Sequence, residues 1–329
     1  MLFLRPSSSL LIATTLSLLQ QTIADDAARP ENTTVCGQQV YTIKERKLIF
    51  NPNAWNPNDI GFQCISVQDE PPAFDAMWSW SMDSVSVHSY PHVKLVARAL
   101  PAPLSNITAL RLSAKWSMGI GSQPRSQPQL PIDFDGLDAQ ATTANVAFDL
   151  FADPDDKKAV SETEAANEIM VWLGQFGYSY PLGKAVVNVT VGGVDFQLFD
   201  GRNQRGIHVL TWVAVKAVPT FSEDISPLLR YLTDNKLVSL DTKIGTVSFG
   251  TEAFRSGGNV TFSATDFAMG LEVDGVLSDD YTGKNGGSGG AGGTTTQDKD
   301  DAARSLGAPW LTAISVATAA VGIFSVLFI

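Results

Sequence analysis

The chain has 329 residues, a formal net charge of −11, two cysteines and three histidines. An acidic composition of this kind argues against nucleic acid as a partner, because there is little basic surface to neutralise phosphates. The cysteines are too few for a metal cluster, and His88, His92 and His208 are not spaced as zinc ligands. We therefore expect neither a metal nor a cofactor.

Residues 1–24 have the features of a secretory signal peptide. Arg5 supplies the positive charge, residues 10–19 form a short apolar stretch, and small residues precede Asp25. This pattern predicts cleavage before Asp25 and a secreted protein. The alternative is an uncleaved membrane anchor, which the short and interrupted apolar stretch disfavours.

The C-terminal part predicts attachment to a membrane. Residues 276–304 are interpreted as a flexible linker and spacer, because residues 283–297 are rich in Gly, Ser and Thr. Residues 305–329 carry no charge, and the pattern resembles a glycosylphosphatidylinositol signal with its attachment residue within 285–294. A single transmembrane helix is the alternative. A lipid anchor would place the protein on the extracellular face of the plasma membrane or in the cell wall.

The remaining residues, 32–275, predict one catalytic domain, since about 240 residues suit a single all-β unit. Cys36 and Cys64 are expected to form a disulfide between the N-terminal strand and the one that follows, because a secreted chain with two cysteines usually pairs them. We expect a monomer. Four sequons predict glycosylation at Asn32, Asn106, Asn188 and Asn259.

Alternating apolar and polar residues dominate this domain and predict β-strands. Two such runs surround Gly192-Gly193 within residues 185–198, which predicts a hairpin. Residues 222–235 instead have helical spacing, with Ser222 as the expected cap and acids in the first turn. The predicted fold is an all-β, two-sheet sandwich of the jelly-roll, concanavalin-like type with one packed helix.

Two glutamates in apolar stretches are the main candidates for catalysis. Glu168 and Glu252 lie far apart in sequence, and burying an ionised carboxylate among apolar residues is costly unless it has a function or a partner. Strand alternation places Glu168, Met170 and Trp172 on one face, where a carboxylate and an indole can meet a sugar. A surface glutamate paired with a lysine is the alternative for Glu168, and a turn glutamate at the end of a strand is the alternative for Glu252.

Two further residues belong to this hypothesis. Asp149 alternates away from Val146, Phe148 and Leu150, and so points off the core, although a solvent-facing strand residue would do the same. An acid beside another acid raises the pKa of one of them and can hold its proton in place. Trp55 lies in a polar, turn-rich segment that leaves an indole face available.

Several motifs together resemble glycoside hydrolase family 12, the fungal endo-β-1,4-glucanases and xyloglucan-specific endoglucanases. The resemblance extends from about Cys36 to about Gly270, with matching order and spacing. Its motifs are Val35-Cys36-Gly37, Asn53-Ala54-Trp55, Trp78-Ser79-Trp80-Ser81, Ser89-Tyr90-Pro91, the Asp149 strand, the Glu168 strand, Pro181-Leu182-Gly183, Tyr231 to Lys236, and Phe249-Gly250-Thr251-Glu252-Ala253-Phe254.

The resemblance implies a role for each matching residue. Glu168 would be the nucleophile, Glu252 the acid/base, and Asp149 the residue that assists the nucleophile. It also implies retention of anomeric configuration through a covalent glycosyl-enzyme, for which the two glutamate carboxyls should lie about 5–5.5 Å apart. The implied substrate-binding residues are Trp55, Met170, Trp172, Pro181 and Asn203.

The chain also departs from the family pattern. Residues 119–139 have the composition of an insertion that we expect to cover or extend the cleft. Arg202 and Arg205 lie where the family usually has aromatic residues, which affects the expected substrate preference. A non-catalytic glucan-binding or cell-wall interaction protein of the same fold is the alternative function. The presence of all three acids disfavours it.

Overall fold

The structure, a computed structural model, describes residues 32–55, 61–83, 86–124 and 130–281. The predicted signal peptide, the C-terminal anchor signal and most of the predicted linker lie outside the described residues. Within these four ranges, no helix is long and apolar enough to cross a bilayer.

Most of the described residues form β-strands. The strands are β1 (Thr33–Cys36), β2 (Tyr41–Ile43), β3 (Leu48–Asn51), β4 (Gly61–Gln68), β5 (Ala73–Trp80), β6 (His92–Leu95), β7 (Ala102–Pro103), β8 (Ile107–Ile120), β9 (Thr143–Asp153), β10 (Asn167–Phe176), β11 (Lys184–Val191), β12 (Val194–Arg202), β13 (His208–Ala214), β14 (Thr220–Asp224), β15 (Lys243–Gly250), β16 (Ala253–Arg255), β17 (Val260–Val273) and β18 (Val276–Tyr281). The α-helices are α1 (Phe134–Ala139), α2 (Asp156–Ala159) and α3 (Ser226–Asp234).

The described strands pair into two sheets. The smaller sheet has seven strands in the order β1-β4-β5-β17-β8-β14, with β18 paired to β17. The larger has eleven in the order β11-β12-β13-β10-β9-β15-β6-β3-β2, with β16 on β9 and β7 on β15. The pairings are antiparallel except that of β10 with β13, which is parallel. The predicted all-β, two-sheet sandwich is confirmed.

The two sheets bury one apolar core between them. Alternate residues of β9, such as Val146, Phe148 and Leu150, are fully buried in this core beside alternate residues of β10 and β15. The largest buried side chains include Trp78, Trp116 and many phenylalanines. Period-two alternation therefore decides which residues fill the core and which lie on the opposite face of the large sheet.

The predicted disulfide is confirmed between Cys36 and Cys64, which are directly opposed residues of β1 and β4. The expectation that it joins consecutive strands was wrong. Strands β2 and β3 lie between the two cysteines in sequence, and both belong to the larger sheet. The disulfide thus joins two strands of the small sheet whose cysteines are 28 residues apart in sequence. The chain between them includes two strands of the large sheet.

The Gly-Gly hairpin is confirmed, and the helix prediction needs correction. Gly192 and Gly193 join β11 to β12 with φ of 58° and 80°, values that glycine adopts without strain. Ser222 lies within β14 and caps no helix. The helix α3 begins at Ser226, whose backbone N–H and hydroxyl both donate to the Asp224 carboxylate. Its first turn contains no acid.

Two further expectations were wrong in detail. The described residues contain two short helices, α1 and α2, besides α3, because local turns with aspartate caps at Asp133 and Asp155 are too short to show helical periodicity. The expected linker boundary at residue 276 is also too early. Strand β18 continues the small sheet by pairing with β17, since a tight turn at Asp274 and Gly275 returns the chain.

The described part of the 119–139 segment packs on the smaller sheet. Asp133 N–H donates to the Met118 carbonyl at 2.9 Å, and the Ser117 hydroxyl donates to the Pro131 carbonyl at 3.2 Å. Leu137 of α1 is buried in the main core. These contacts hold residues 130–139 against β8, so this described portion supports the sandwich.

Candidate active site

Strand β9 lies near the middle of the larger sheet, and every one of its residues is buried. One face of β9 fills the core. The other presents Asn145, Ala147 and Asp149 on what we call the outer face of the large sheet. Asp149 is directly opposed to Met170 of β10 on one side and to Ser248 of β15 on the other. This register places strands β10 and β15 on the two sides of Asp149.

A second, smaller apolar cluster covers the outer face beside Asp149. The Trp172 indole N–H donates to the Met170 sulfur at 3.4 Å, which fixes both side chains against each other. Both are only 3% exposed. The cluster consists of Ala147, Met170, Trp172, Val209 and Val213, with Phe199 packed at its edge. The predicted placement of Glu168, Met170 and Trp172 on one face is consistent with this cluster.

Glu168 lies at the start of β10, opposed to Phe151 and Val209, and is half-buried. Burial and the negative charge of Glu252 raise the pKa of Glu168 to about 8, whereas the Arg205 guanidinium acts in the opposite direction. The charge of Glu252 therefore acts on Glu168, although the two residues lie far apart in the sequence. The catalytic roles of the two glutamates stay predictions.

Glu252 follows β15 and is held by Asn145 of β9. The Glu252 N–H donates to Asn145 Oδ1 at 2.9 Å, and the Asn145 amide donates to the Glu252 carboxylate. Burial raises the pKa of Glu252 to about 7, and the hydrogen bond from Asn145 opposes this shift. Sequence analysis did not assign Asn145 a role, although its spacing of four residues from Asp149 along one strand places both on the same face.

Asp149 is the third acid of this group. Burial raises its pKa well above the usual range, and the charges of Glu168 and Glu252 raise it further. Its Oδ1 atom is buried without a hydrogen-bond partner. A carboxyl in this setting favours its protonated form, because ionising it would place a further buried negative charge beside two other acids.

A charged group that sequence analysis missed borders the three acids. Lys94 of β6, opposed to Ser248, forms an ion pair of 3.0 Å with Glu162 from the segment between α2 and β10. Burial raises the pKa of Glu162, but the charge of Lys94 and its hydrogen bond outweigh this, so the net shift is downward. The ion pair links two distant parts of the chain beside the outer face, a link that no local sequence pattern reveals.

His92 and Tyr90 lie close to this ion pair. Their rings stack with centroids 4.9 Å apart, and the Tyr90 hydroxyl donates to the Ala147 carbonyl at 3.1 Å. Burial lowers the pKa of His92 to about 4, so the imidazole is neutral. Burial, followed by the charge of Asp149, raises the pKa of Tyr90. The two stacked rings therefore pack against β9 at Ala147.

The other predicted substrate-binding residues occupy different parts of the structure. Trp55 is half-buried, and its backbone N–H donates to the His88 carbonyl at 2.8 Å. Pro181 is half-buried in the loop between β10 and β11. The Asn203 side-chain oxygen accepts from the N–H groups of Arg205 and Ile207, which shapes the turn that presents Arg205. Their roles toward a substrate stay predictions.

The histidines have separate local partners in the structure. The Nε2 atom of His208 is 2.8 Å from Asp200 Oδ1. The His88 ring stacks on that of Trp80, with ring centroids 5.1 Å apart. In the part of the chain that the structure describes, no group of three or more His, Cys, Asp or Glu residues is arranged to hold a metal ion.

The sequons differ in exposure. Asn32 and Asn188 are exposed, whereas the amides of Asn106 and Asn259 donate to Asp274 and Ser122 respectively. Glycosylation at any of the four stays a prediction.

The fold and the site together define a class of protein. A β-sandwich that carries two buried glutamates of raised pKa, a third buried acid and an indole on one sheet face has the equipment of a glycoside hydrolase. The family comparison identifies which kind. Residues 46–272 match the model of glycosyl hydrolase family 12, and the chain belongs to this family.

Similar proteins agree with this placement. The xyloglucan-specific endo-β-1,4-glucanase A of Aspergillus aculeatus is 28% identical over 267 residues, which cover 78% of this chain and 99% of that protein. The xyloglucan-specific endo-β-1,4-glucanase 1 of Phytophthora sojae is 28% identical over 245 residues, covering 72% of this chain and 90% of that protein.

A solved structure is similar along the same part of the chain. The endoglucanase 3 of Trichoderma harzianum, a family 12 enzyme, has a TM-score of 0.61 and 26% identity, covering 74% of this chain and all of that one. The expectation of a glycoside hydrolase of the endoglucanase or xyloglucanase type is confirmed.

Proposed function

We propose that this protein is a retaining endo-β-1,4-glucanase that hydrolyses internal bonds of a β-glucan or xyloglucan. The observation that carries the proposal is that β9 and β10 carry Asp149 and Glu168 on the outer face of the large sheet, where Asn145 holds Glu252 by two hydrogen bonds. The names of the relatives support the substrate class, since the Aspergillus aculeatus and Phytophthora sojae proteins are both called xyloglucan-specific.

In the first step, the Glu168 carboxylate attacks the anomeric carbon while Glu252 gives its proton to the glycosidic oxygen. The bond from the anomeric carbon to that oxygen breaks, and a covalent glycosyl-enzyme forms. The pKa of about 7 at Glu252 keeps it protonated in mildly acidic medium. Protonation of Glu252 removes its repulsion of Glu168, and the Arg205 guanidinium opposes the effect of burial, so Glu168 attacks from its ionised fraction.

In the second step, the Glu252 carboxylate takes a proton from water, and the hydroxide oxygen bonds to the anomeric carbon. Glu168 leaves as a carboxylate, and Glu252 regains its proton. Two displacements at one carbon retain its configuration. Asn145 holds Glu252 in place through both steps by its two side-chain hydrogen bonds.

Asp149 serves the nucleophile by its proton. Because its pKa is raised well above the usual range, it remains a carboxylic acid and can donate a hydrogen bond to an ionised neighbour. Such a donor stabilises the Glu168 carboxylate against the effect of burial, without adding negative charge. Trp55, Met170, Trp172, Pro181 and Asn203 are proposed to contact the sugar chain.

The remaining expectations about organisation form part of the proposal. Residues 1–24 are proposed to direct secretion, and residues 305–329 to specify a lipid anchor after the Gly-rich segment. Release of the native protein from membranes by a phosphatidylinositol-specific phospholipase tests the anchor. Persistence in the membrane fraction after this treatment would contradict it. The protein is proposed to act as a glycosylated monomer at the cell surface.

Turnover of polymeric substrates tests the catalytic proposal. The protein, expressed in a secretory host, is assayed for new reducing ends on xyloglucan, barley β-glucan and carboxymethylcellulose beside Glu168→Gln and Glu252→Gln. We expect losses of at least about 10³-fold for Glu168→Gln and about 10²- to 10⁴-fold for Glu252→Gln. Wild-type activity no greater than that of the variants would refute the proposal, and saturable binding without turnover would favour a glucan-binding protein instead.

A further inference from the structure

The segment from 177 to 183, here the rim loop, is fixed at its first end beside the support of Glu252. The fully buried Ser179 donates its hydroxyl to the Ala144 carbonyl at 2.8 Å, and the Gln175 amide donates to the Ser179 carbonyl at 2.6 Å. Ala144 immediately precedes Asn145, the residue that holds Glu252. This end of the rim loop therefore lies close to the acid/base in the fold.

The second end of the rim loop lies on the outer face of the large sheet. Phe199 of β12 packs in the outer cluster, and Gly201, two residues further on, points to the same side. A Cβ atom on Gly201 would lie 2.6 Å from the Leu182 carbonyl carbon, so only glycine permits this contact. The rim loop thus runs from the end of β10 to the outer face of β12 and borders the outer cluster.

The rim loop exposes two aromatic side chains. Tyr178 is 71% exposed and Tyr180 is 68% exposed, although the residue between them is fully buried. Their ring centroids are 6.1 Å apart with an angle of 53° between the planes. Two large aromatic rings that stay exposed on an anchored loop do not gain the free energy that burial would give. Their exposure therefore favours a function in binding.

We propose that Tyr178 and Tyr180 form a further carbohydrate subsite, which binds a pyranose ring of the polysaccharide at the rim of the active site. Aromatic rings recognise the apolar face of a sugar, and these two rings pack against each other and present one exposed aromatic surface on which a pyranose can stack. This inference rests on the proposed function and deepens it. The subsite lies outside the three acids, so it contributes to the binding of long chains and leaves the chemical step to the acids.

Truncation of both tyrosines tests the subsite on the full protein. The Tyr178→Ala/Tyr180→Ala variant is compared with wild type on soluble xyloglucan and on a short aryl cellobioside. We expect kcat/KM on the polymer to fall about fivefold more than on the short glycoside, mainly through KM. The Tyr178→Phe/Tyr180→Phe variant keeps both rings and is expected to retain polymer binding. Leu240→Ala, which truncates an exposed apolar residue elsewhere, is the matched control.

Equal losses on polymer and short substrate would overturn the subsite, because they would indicate a structural role of the loop. Unchanged KM for the polymer would overturn it as well. Titration calorimetry with xyloglucan in the Glu168→Gln background separates this inference from the proposed function. If wild type shows no turnover but the tyrosine truncations weaken glucan binding, the proposed function fails while the subsite stands.

Discussion

The two faces of the larger sheet show how one strand serves stability on one side and chemistry on the other. On β9, Phe148 points into the dry core and Asp149, its neighbour, points to the outer face, yet both are buried. The inner face of β9 consists of apolar side chains that are fully buried. The outer face contains three acids of raised pKa and polar atoms without partners, including Asp149 Oδ1 and Thr211 Oγ1. Burial alone therefore does not distinguish core from site, whereas buried carboxyl groups of raised pKa do.

The largest effect on stability is expected on the inner face. Phe148→Ala should lower the free energy of unfolding by about 3–5 kcal/mol, because it leaves a cavity where the ring packs 4.6 Å from that of Phe249. Chemical denaturation at constant pH measures this loss. The folded fraction should keep the pH–rate profile of wild type, since the acids are on the other face. A loss below about 1 kcal/mol would contradict the distinction between the faces.

The adjacent outer-face residue should behave in the opposite way. Asp149→Asn is expected to reduce kcat/KM by about 10- to 100-fold, which corresponds to about 1.4–2.7 kcal/mol of transition-state stabilisation. The isosteric amide can still donate a hydrogen bond, but it cannot exchange a proton with the neighbouring acids. Unfolding free energy should not fall, because a buried ionisable group is removed. A variant that loses stability as Phe148→Ala does would show that Asp149 is a packing residue.

Glu252 should make the protein less stable as pH rises. Its pKa is raised from 4.5 to about 7 in the folded state, so between these pH values the folded protein binds more protons than the unfolded chain. Stability contributed by the protonated form is complete below about pH 4.5 and is lost as pH approaches 7. Glu252→Gln removes this loss, and its melting temperature should exceed that of wild type by about 2–4 °C at pH 7.5 for each 1 kcal/mol gained.

The difference between Glu252→Gln and wild type should nearly vanish at pH 4.5, which differential scanning fluorimetry can show. Glu164→Gln, at an exposed glutamate between α2 and β10, is the control and should leave the melting temperature unchanged at both pH values. A melting-temperature difference that is equal at both pH values would mean that ionisation of Glu252 is not its cause.

The smallest expected effect concerns Glu162. Its negative charge raises the pKa of Glu168, which at about 8 lies above that of Glu252, so Glu162→Gln should move the basic limb of the kcat/KM profile to lower pH by a fraction of a unit. The acidic limb, assigned to Glu252 with its pKa of about 7, should stay in place. Asp266→Asn removes one partner of the exposed Lys115–Asp266 pair and should move neither limb. A shift of both limbs by Glu162→Gln would contradict the separate assignments of the two glutamates.

Much of this arrangement could be predicted from local sequence. Period-two alternation located the strands and the face of Glu168, Met170 and Trp172, because each side chain's direction depends only on its own strand. The helix start was missed because Ser222 belongs to strand β14, and the carboxylate that accepts from the first helical N–H is that of Asp224 at the end of the same strand. Pairing between distant strands overrode the local signal there.

The residues that tune the acids could not be predicted in the same way. Asn145, Lys94 and Glu162 act through contacts between segments 68 to 107 positions apart in the chain. No local pattern encodes such contacts. The one available signal was the spacing of Asn145 and Asp149 on a single strand face. The rim loop was recognised only through Pro181, because the exposure of Tyr178 and Tyr180 depends on how Ser179 and Gly201 anchor it.

The stereochemistry of the first product tests the central claim most directly. Proton NMR during early hydrolysis of a cello-oligosaccharide or xyloglucan oligosaccharide distinguishes the anomer released by the enzyme from the one formed later by mutarotation. Double displacement through Glu168 and Glu252 predicts that the β-anomer appears first and the α-anomer follows slowly. Initial release of the α-anomer would contradict the assignment of Glu168 as nucleophile.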